Sequence, residues 1–496
     1  MILKLQGVSE DCIIIQMKDV LGMSLISNAK WNMTSQLFKV AAQAINIVYL
    51  ATIIPPAEYG LMAMALVVFN FGILLRDLGT SAAIIQRKEL TNNLINTVFW
   101  LNTFMGVGLA IVIALSSPFF SYLYHQPKLI PILLLLSITF PLSSSAAAHL
   151  ALLERDSKFR QISLIEISSS LVSVLVAIIL ANLGFGVYSL VVQAIVLNLI
   201  SCIQFWFVSP WRPLFTRFVD KKEFKIIFGF SVNLSLFNFI NYFSRNADSF
   251  IIGRFMSATV LGSYNLAYRI MLFPLQSLTF VTSRSLYPIL SKSQDDNKEI
   301  YSTYSNCVFV IVLITAPLMS GLAFYSEPFI RLVFGPQWHI TSDVLKWLAP
   351  TAIIQAILST SGSVFMAKGR TDILMRLGII GAVLQVSAFV IGVNYTITTF
   401  AMCYLIANVL NFFPVMISLF RVINGSFRMF VMQFVPIIIS TLIMLLALSI
   451  LNVYYHREEI NGLLTLFLFS VLGAVIYFIV IIILAKKIRL FLFKKY

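Results

Sequence analysis

Apolar runs of about 20 residues recur along the whole chain and are separated by short polar connections. A run of that length is what a helix needs to cross a hydrocarbon core of about 30 Å, and a helix satisfies its own backbone hydrogen bonds there. The alternation of apolar and polar residues that marks barrel strands is absent from the sequence. The pattern therefore predicts an all-α, polytopic membrane protein.

The predicted spans follow one another closely from residue 31 to residue 485. They cover residues 31–54, 60–84, 93–117, 128–153, 162–182, 185–208, 224–252, 258–286, 299–325, 341–367, 372–395, 397–420, 429–453 and 460–485. We therefore expect about fourteen transmembrane helices. Pro274, Pro317, Pro350 and Pro414 lie within or at the ends of these spans, where they are candidate hinges or tolerated kinks.

Composition and charge placement agree with this class. Of the 496 residues, 59% are hydrophobic and 11% are charged, whereas a soluble domain is about 25% charged. The basic connections lie at 87–88, 155–160, 212–225, 284–298, 368–376 and 421–428, and the basic tail at 486–495. The opposite connections hold Lys128, Arg254, Arg331, Lys346 and Arg457. By the positive-inside rule both termini are expected in the cytoplasm, and the net charge of +15 needs no nucleic-acid partner.

An internal repeat divides the chain into two halves. The turn that ends at Tyr59 and is followed by Gly60 matches the turn that ends at Leu261 and is followed by Gly262, 202 residues later. We expect two six-helix lobes around a central cavity, followed by two C-terminal helices. The expected parts are an N-terminal cytoplasmic segment 1–30, a first lobe 31–208, a linker 209–223, a second lobe 224–420 and a C-terminal part 421–496. Met23 leads directly into the first span and is an alternative start of translation.

Charged residues inside the predicted spans carry the functional signal. A charge near the centre of a membrane helix costs about 2.5–3.5 kcal/mol on insertion scales, so it is expected to face protein or a polar cavity. Arg76 lies in the second span, Arg245 in the seventh, and Arg269 in the eighth, beside Tyr264 and Tyr268. Arg269 has no acidic neighbour in its own helix, and its guanidinium fork suits phosphate oxygens. These five residues are the candidate substrate contacts or cavity-lining positions.

Three carboxylates are available if transport is coupled to protons or to sodium, namely Asp77, Asp248 and Glu166. Each also has a structural interpretation. Asp77 follows Arg76, and either residue can pair with a charge on another helix. Asp248 lies three residues after Arg245, which allows an ion pair on one helix face. Glu166 lies near the expected cytoplasmic interface, where a basic neighbour can neutralise it. Proton-coupled, sodium-coupled and uncoupled transport all stay open.

The sequence lacks motifs for catalysis and for cofactor binding. A Walker A loop, a dinucleotide fingerprint, a metal triad and a hydrolase elbow are all absent from it. The four histidines and four cysteines are scattered, with neither zinc spacing nor a disulfide framework. His149 lies in a span and is expected to be a helix-packing or interfacial residue. We predict a protein that is not an enzyme and has no cofactor, no metal and no nucleic-acid partner.

Short segments between residues 29 and 372 carry a family resemblance. They are AKW at 29–31, EYGLMAMALVV at 58–68, DLGTSAAIIQRKE at 77–89, FWLN at 99–102, IGRF at 252–255, YNLAYR at 264–269, SRSLYPILSKSQDD at 283–296, LVFGPQW at 332–338 and FMAKGRTD at 365–372. In this order they resemble the polysaccharide-transport branch of the multidrug/oligosaccharidyl-lipid/polysaccharide flippase superfamily, most closely Wzx flippases of the colanic-acid-exporter type. The last two predicted spans match in hydropathy alone.

The resemblance implies a fourteen-helix protein of the bacterial inner membrane with two lobes around a cationic cavity. Such proteins move undecaprenyl-diphosphate-linked oligosaccharide repeat units from the cytoplasmic to the periplasmic leaflet, for exopolysaccharide, capsule or O-antigen assembly. The implied mechanism is alternating access, with the polyprenyl tail kept in lipid. The implied partners are the lipid-linked oligosaccharide, membrane lipids and the polysaccharide polymerase with its export machinery, and one chain suffices as a monomer.

Two other functions are compatible with parts of the pattern. A cation-coupled multidrug exporter of the same fold is one, although an arginine-lined cavity would repel its usually cationic substrates. A membrane glycosyltransferase or polysaccharide polymerase is the other. Those enzymes normally carry catalytic residues on a sizeable external loop, and the longest external connection expected here, about 325–340, has little room for an active site.

Overall fold

The computed structural model describes residues 41–76, 90–215, 246–454 and 462–485, together with the single positions 36, 38, 84 and 218. Over 275–285 it describes the backbone alone. Within these residues the chain forms helices joined by short turns and has no strand. The all-α class predicted from the apolar runs is confirmed.

Helices α1 to α7 make up the first half of the described chain. They are α1 (Ala41–Ile53), α2 (Pro56–Arg76), α3 (Asn92–Tyr124), α4 (Leu129–Ser137), α5 (Thr139–Arg155), α6 (Phe159–Asn182) and α7 (Val187–Val208). The longest of them, α3, runs past the predicted end at residue 117 and through Pro118. It ends where His125 takes the left-handed conformation at a φ of 55°.

Helices α8 to α17 make up the second half. They are α8 (246–255), α9 (Ala258–Lys292), α10 (Asn297–Phe324), α11 (Ser326–Val333), α12 (His339–Ala367), α13 (Thr371–Gly392), α14 (Ile397–Val422), α15 (Phe427–Met432), α16 (Val435–Tyr454) and α17 (Leu463–Leu484). A 3-10 turn, Pro336–Trp338, joins α11 to α12.

Eleven of the described helical segments are long and apolar enough to cross a membrane. They correspond to eleven of the fourteen predicted spans. The other three predicted spans are 31–54, where α1 covers the last part, 224–252, where α8 covers the end, and 258–286, which α9 contains. The described helices are thus compatible with fourteen spans, and that count stays a prediction.

Two predicted spans are interrupted, and a proline explains each break. Proline has no N–H to donate to the carbonyl four residues earlier, and its ring clashes with that carbonyl. Helix α4 ends at Ser137, four residues before Pro141, and α15 ends at Met432, four residues before Pro436. By contrast, the helices continue through all four prolines that were candidate hinges.

The described residues form two compact units. The first contains α1, α2 from Ala65 onward and α3 to α7. Within it α6 and α7 form a hairpin, closed by Gly184 and Gly186 at φ values of 84° and 54°. The second contains the first turns of α2, Pro55–Met64, together with α8 to α17. The linker expected at 209–223 lies partly outside the described residues, so the expected lobe boundaries stay a prediction.

Helix α12 lies at the centre of the second unit. It packs against α9, α10 and α14. Of the eleven segments that are long and apolar enough to cross a membrane, the one that contains α12 is the most buried. The C-terminal helices α16 and α17 pack against each other and against α10. The Tyr477 hydroxyl of α17 donates a hydrogen bond of 2.9 Å to the Leu313 carbonyl of α10. The last two helices are therefore part of this unit.

The repeat-related glycines lie at one helix crossing inside the second unit. A Cβ on Gly60 would overlap the Ala258 carbonyl, and a Cβ on Gly262 would overlap the Pro56 carbonyl. Positions 56 and 258 are separated by the same 202 residues as positions 60 and 262. The two contacts are therefore reciprocal, as expected where a two-fold axis relates the first turns of α2 and α9.

Two of the segments that carry the family resemblance, 283–296 and 365–372, meet at the connection from α12 to α13. Lys368 of FMAKGRTD donates hydrogen bonds to the Gln294 carbonyl at 2.7 Å and to Oδ1 of Asn297 at 2.8 Å. The neighbouring Arg370 pairs with Asp372 at 3.0 Å, but both side chains are exposed. The Lys368 hydrogen bonds join the two connections, whereas the exposed Arg370–Asp372 pair adds little to stability.

Candidate functional site

The structure places the predicted site residues in both units. Asp248, Tyr264, Tyr268 and Arg269 lie in the second unit, on α8 and α9. Arg76 and Glu166 lie in the first unit, on α2 and α6. Arg245 and Asp77 lie outside the described residues. The candidate residues that lie close together in the sequence and are described are therefore those on α8 and α9.

Helix α9 begins at a conventional cap. The Ser257 hydroxyl accepts a hydrogen bond from the Val260 amide at 3.2 Å, which satisfies one free N–H of the first turn. Tyr264 and Tyr268 then lie four residues apart, on the same helix face. Their rings are stacked, with centroids 6.0 Å apart and planes 20° apart. One helix thus presents two aligned tyrosines immediately before Arg269.

A buried carboxylate lies beside these tyrosines. Asp248 is 5% exposed and accepts hydrogen bonds from the Tyr264 hydroxyl at 2.9 Å and the Ser249 amide at 2.6 Å. Among the described residues no basic group pairs with it. Burying an unpaired carboxylate is costly, so Asp248 is a candidate for charge neutralisation by a proton or a small cation.

The polar network continues through side chains that the sequence analysis did not select. Tyr268 is hydrogen-bonded to Tyr404 of α14. The Gln355 amide of α12 donates to the Tyr404 hydroxyl at 2.6 Å, and the Asn408 amide of α14 donates to the Tyr404 carbonyl at 2.9 Å. These residues are neutral, so no charge marks them in the sequence. The spacing of Tyr404 and Asn408, four residues apart, was the available signal.

We expect Asp248→Asn to flatten the dependence of transport on pH or on sodium. Asparagine keeps an oxygen that can accept from Tyr264, so the fold is expected to persist while the titratable charge is lost. Transport would be measured in proteoliposomes across a pH series and a sodium series. Tyr264→Phe is the matched comparison, because it removes a buried hydrogen bond of about 1.5–3 kcal/mol to a charged group but keeps the carboxylate. An unchanged ion dependence in Asp248→Asn would assign Asp248 a structural role.

Arg269 is exposed and lies in the first half of α9, the helix that contains the predicted span 258–286. No described residue accepts a hydrogen bond from its guanidinium or forms an ion pair with it. Tyr59, in the first turns of α2, lies within electrostatic range of Arg269. The Tyr59 ring packs edge-on against Trp338, with centroids 5.3 Å apart. Segments 58–68 and 332–338 of the family pattern therefore meet at Tyr59 and Trp338.

The candidates of the first unit have other surroundings. Arg76 donates a hydrogen bond of 2.5 Å to the Ser143 hydroxyl of α5, so part of its hydrogen-bonding capacity is used within the protein. Glu166 is half-buried on α6 and lies within electrostatic range of Glu154. Lys158, one basic neighbour in the sequence, pairs with Asp156 at 3.0 Å.

His149 is a packing residue in the first unit. It is fully buried, and its ring lies 4.8 Å from Trp206 and 5.5 Å from Trp211. Phe99 completes this aromatic cluster. The structure thus places His149 in the core, one of the two roles expected from the sequence. In the part of the chain that the structure describes, no group of three or more metal-ligating side chains occurs.

Ionisable residues in apolar helices are typical of membrane transport proteins, and this helical protein has an exposed arginine and a buried carboxylate on neighbouring helices. The chain belongs to the polysaccharide biosynthesis protein family, whose sequence profile matches residues 49–343. This match confirms the family membership predicted from the short segments between residues 29 and 372.

Two relatives are similar over most of their length. Teichuronic acid biosynthesis protein TuaB of Bacillus subtilis strain 168 is 29% identical over 351 residues, which cover 70% of this chain and 72% of TuaB. Lipopolysaccharide biosynthesis protein WzxC of Escherichia coli K12 is 28% identical over 445 residues, which cover 86% of this chain and 87% of WzxC.

One solved structure shows that the fold is shared. The lipid II flippase MurJ, in an inward closed conformation, superposes with a TM-score of 0.73. The superposition covers 93% of this chain and 99% of MurJ at 16% sequence identity. At that identity the likeness concerns the fold, and it agrees with the predicted superfamily architecture.

Proposed function

We propose that this protein is a flippase for undecaprenyl-diphosphate-linked oligosaccharide repeat units in exopolysaccharide, capsule or O-antigen biosynthesis. It moves them from the cytoplasmic to the periplasmic leaflet of the bacterial inner membrane by alternating access. The observation that carries the proposal is the exposed guanidinium of Arg269, which has no described acidic partner, in a member of a polysaccharide biosynthesis family.

The substrate's chemistry fits what Arg269 and its surroundings offer. A diphosphate carries several acceptor oxygens, and a guanidinium fork binds two such oxygens with charge-assisted hydrogen bonds. The oligosaccharide is hydrophilic and would need polar groups such as the Tyr268 hydroxyl along its path. The polyprenyl chain is apolar, so it would stay in the bilayer, where large exposed apolar side chains such as Leu464 and Phe467 meet lipid.

Placement and partners follow from the same proposal. The basic connections and basic tail support cytoplasmic termini in the inner membrane. Lipid-linked oligosaccharide and membrane lipids are the direct partners, and a polysaccharide polymerase would consume the product. One chain would suffice for transport. If transport is ion-coupled, Asp248 is the described carboxylate with the most suitable burial.

Deletion of the gene in its native host tests the proposal. We expect lipid-linked oligosaccharide to accumulate, as measured by extraction and mass spectrometry, and secreted polymer to be lost. The wild-type gene supplied on a plasmid should restore both values. Normal polymer with greater sensitivity to cationic drugs would contradict the proposal and favour a drug exporter. Loss of the lipid-linked repeat unit itself would instead indicate a glycosyltransferase.

A further inference from the structure

We infer that helix α15 lies at the membrane surface and that its exposed face binds anionic phospholipid, on the side that the basic connections assign to the cytoplasm. Arg428 contacts a lipid phosphate, and Met429 and Met432 lie against the acyl chains. This partner is separate from the cargo of the proposed function, because it belongs to the membrane around the protein. The basic connection 421–428 thereby gains a ligand of its own.

Helix α16 is long enough to cross the membrane without α15. It has 20 residues, which span about 30 Å at about 1.5 Å per residue and thus match the hydrocarbon core. Helix α15 precedes it, beyond the break before Pro436, and adds only 6 residues. Because the basic connection 421–428 leads into it, α15 lies where the chain leaves the apolar core.

Contacts with α10 hold one face of α15 against the protein. Phe430 is fully buried, and its ring stacks on Tyr304 with centroids 5.9 Å apart and planes 15° apart. The Tyr301 hydroxyl, one turn earlier on α10, donates a hydrogen bond of 3.2 Å to the Ser426 carbonyl. Ser426 also caps α15, since its hydroxyl accepts from the Met429 amide at 3.3 Å. These contacts fix the direction in which the opposite face of α15 points.

The outer face of α15 combines one cation with two flexible apolar side chains. Arg428 and Met432 are four residues apart and Met429 and Met432 three apart, so the three share a helix face. All three are exposed, Met429 by 65% and Met432 by 58%. Large exposed apolar side chains continue along α16 at Val435, Ile438, Ile439, Leu442 and Leu446. A surface that passes from apolar residues to a guanidinium matches the boundary between acyl chains and headgroups.

Charge complementarity selects an anionic headgroup. Arg428, and Arg421 at the end of α14, are both exposed, and neither forms an ion pair with a residue that the structure describes. The preceding residues, Phe420 and Phe427, have ring centroids 5.9 Å apart, so both arginines lie beside the turn that joins α14 to α15. An anionic membrane surface attracts such cations, and each guanidinium fork fits the phosphate oxygens of one headgroup.

The test uses the full chain, purified in detergent, and two lipids with the same acyl chains, phosphatidylglycerol and phosphatidylcholine. Native mass spectrometry would measure lipid affinity, and thermal melting would measure folding with and without each lipid. We expect the wild type to bind phosphatidylglycerol more tightly. Arg428→Gln and Arg421→Gln should each weaken phosphatidylglycerol binding about fivefold, which corresponds to about 1 kcal/mol for a basic residue at an anionic surface, and leave phosphatidylcholine binding unchanged. Without lipid, both variants should melt near the wild-type temperature, because both arginines are exposed.

Arg370→Gln is the matched control. Arg370 is an exposed arginine of the same unit, but its charge is already paired with Asp372 at 3.0 Å, so this variant should keep wild-type affinity for both lipids. Joint replacement of Met429→Ser and Met432→Ser should weaken both lipids alike, because it removes apolar contact and leaves the charge.

The two lipids and the two kinds of variant separate the outcomes. Equal affinity of the wild type and both arginine variants for phosphatidylglycerol would overturn the inference, as would an equal loss for the two lipids. Unchanged binding in the methionine double variant would mean that the outer face of α15 does not touch lipid, and would also overturn it. Each of these results leaves the proposed function standing, because that function is tested by the gene deletion.

Discussion

Gly262→Ala is expected to cause a large loss of stability in the second unit. The new Cβ would overlap the Pro56 carbonyl, which is backbone and cannot rotate away as a side chain can. Overpacking costs about 1–3 kcal/mol where side chains can adjust, so a backbone overlap is expected to reach or exceed the upper value. The apparent melting temperature in detergent and the amount of folded protein in membranes would both fall.

The contact of Gly60 with Ala258, which is reciprocal to that of Gly262 with Pro56, gives a second expectation. Gly60→Ala should have a similar effect, because its Cβ would overlap the Ala258 carbonyl. The double variant should lose less than the sum of the two single losses, since both methyl groups separate the same pair of helix turns. Additive losses would mean that the two contacts are independent and would contradict the two-fold relation inferred from the 202-residue repeat.

Gly321→Ala and Gly378→Ala are the matched controls. Both glycines are helical residues of the second unit, and a Cβ at either position meets no atom within 4 Å. Alanine in an open helical position stabilises by about 0.4–1 kcal/mol, so these variants should melt at or slightly above the wild-type temperature. A Gly262→Ala variant that melts like these controls would show that the crossing can open without cost.

The fold class could be predicted from the sequence because membrane helices leave a strong signal in hydropathy. Where the predicted ends of helices differ from the observed ones, the cause is local. The break before Pro141 divides one predicted span, whereas the helix continues through Pro118. Both prolines lack the same donor, so the sequence offers no rule that separates them. The difference depends on how neighbouring groups satisfy the freed carbonyl, which is tertiary information.

The candidate site could be predicted only in its charged part. Charges are rare in apolar spans, and for that reason Arg269 and Asp248 stood out in the sequence. Tyr59, Trp338, Gln355 and Tyr404 did not, because the chain holds 18 tyrosines and many neutral polar residues in its spans. Their relevance arises from separate helices meeting in space. The resemblance had marked the segments around Tyr59 and Trp338, and the structure supplies a physical reason for them.

Arg269→Gln is expected to abolish polymer export while leaving folded protein in the membrane. Glutamine preserves much of the side chain's length but loses the charge and the fork, and each hydrogen bond from a charged group is worth about 1.5–3 kcal/mol. Two such bonds correspond to a loss of at least about a hundredfold in transport rate. Arg269→Lys keeps the charge without the fork and should fall between the two. Secreted polymer and accumulated lipid-linked oligosaccharide would be measured at native expression.

Stability separates a functional role of Arg269 from a structural one. Arg269 is exposed and has no acidic partner among the described residues, so Arg269→Gln removes no ion pair and should melt near the wild-type temperature even though it is inactive. Arg370→Gln is the control, because Arg370 lies in the same unit and its ion pair with Asp372 is exposed. That variant should export normally. Normal export by Arg269→Gln would remove Arg269 from the site. Lost export with a lowered melting temperature would make Arg269 a structural residue. In either case the diphosphate would have to be bound elsewhere.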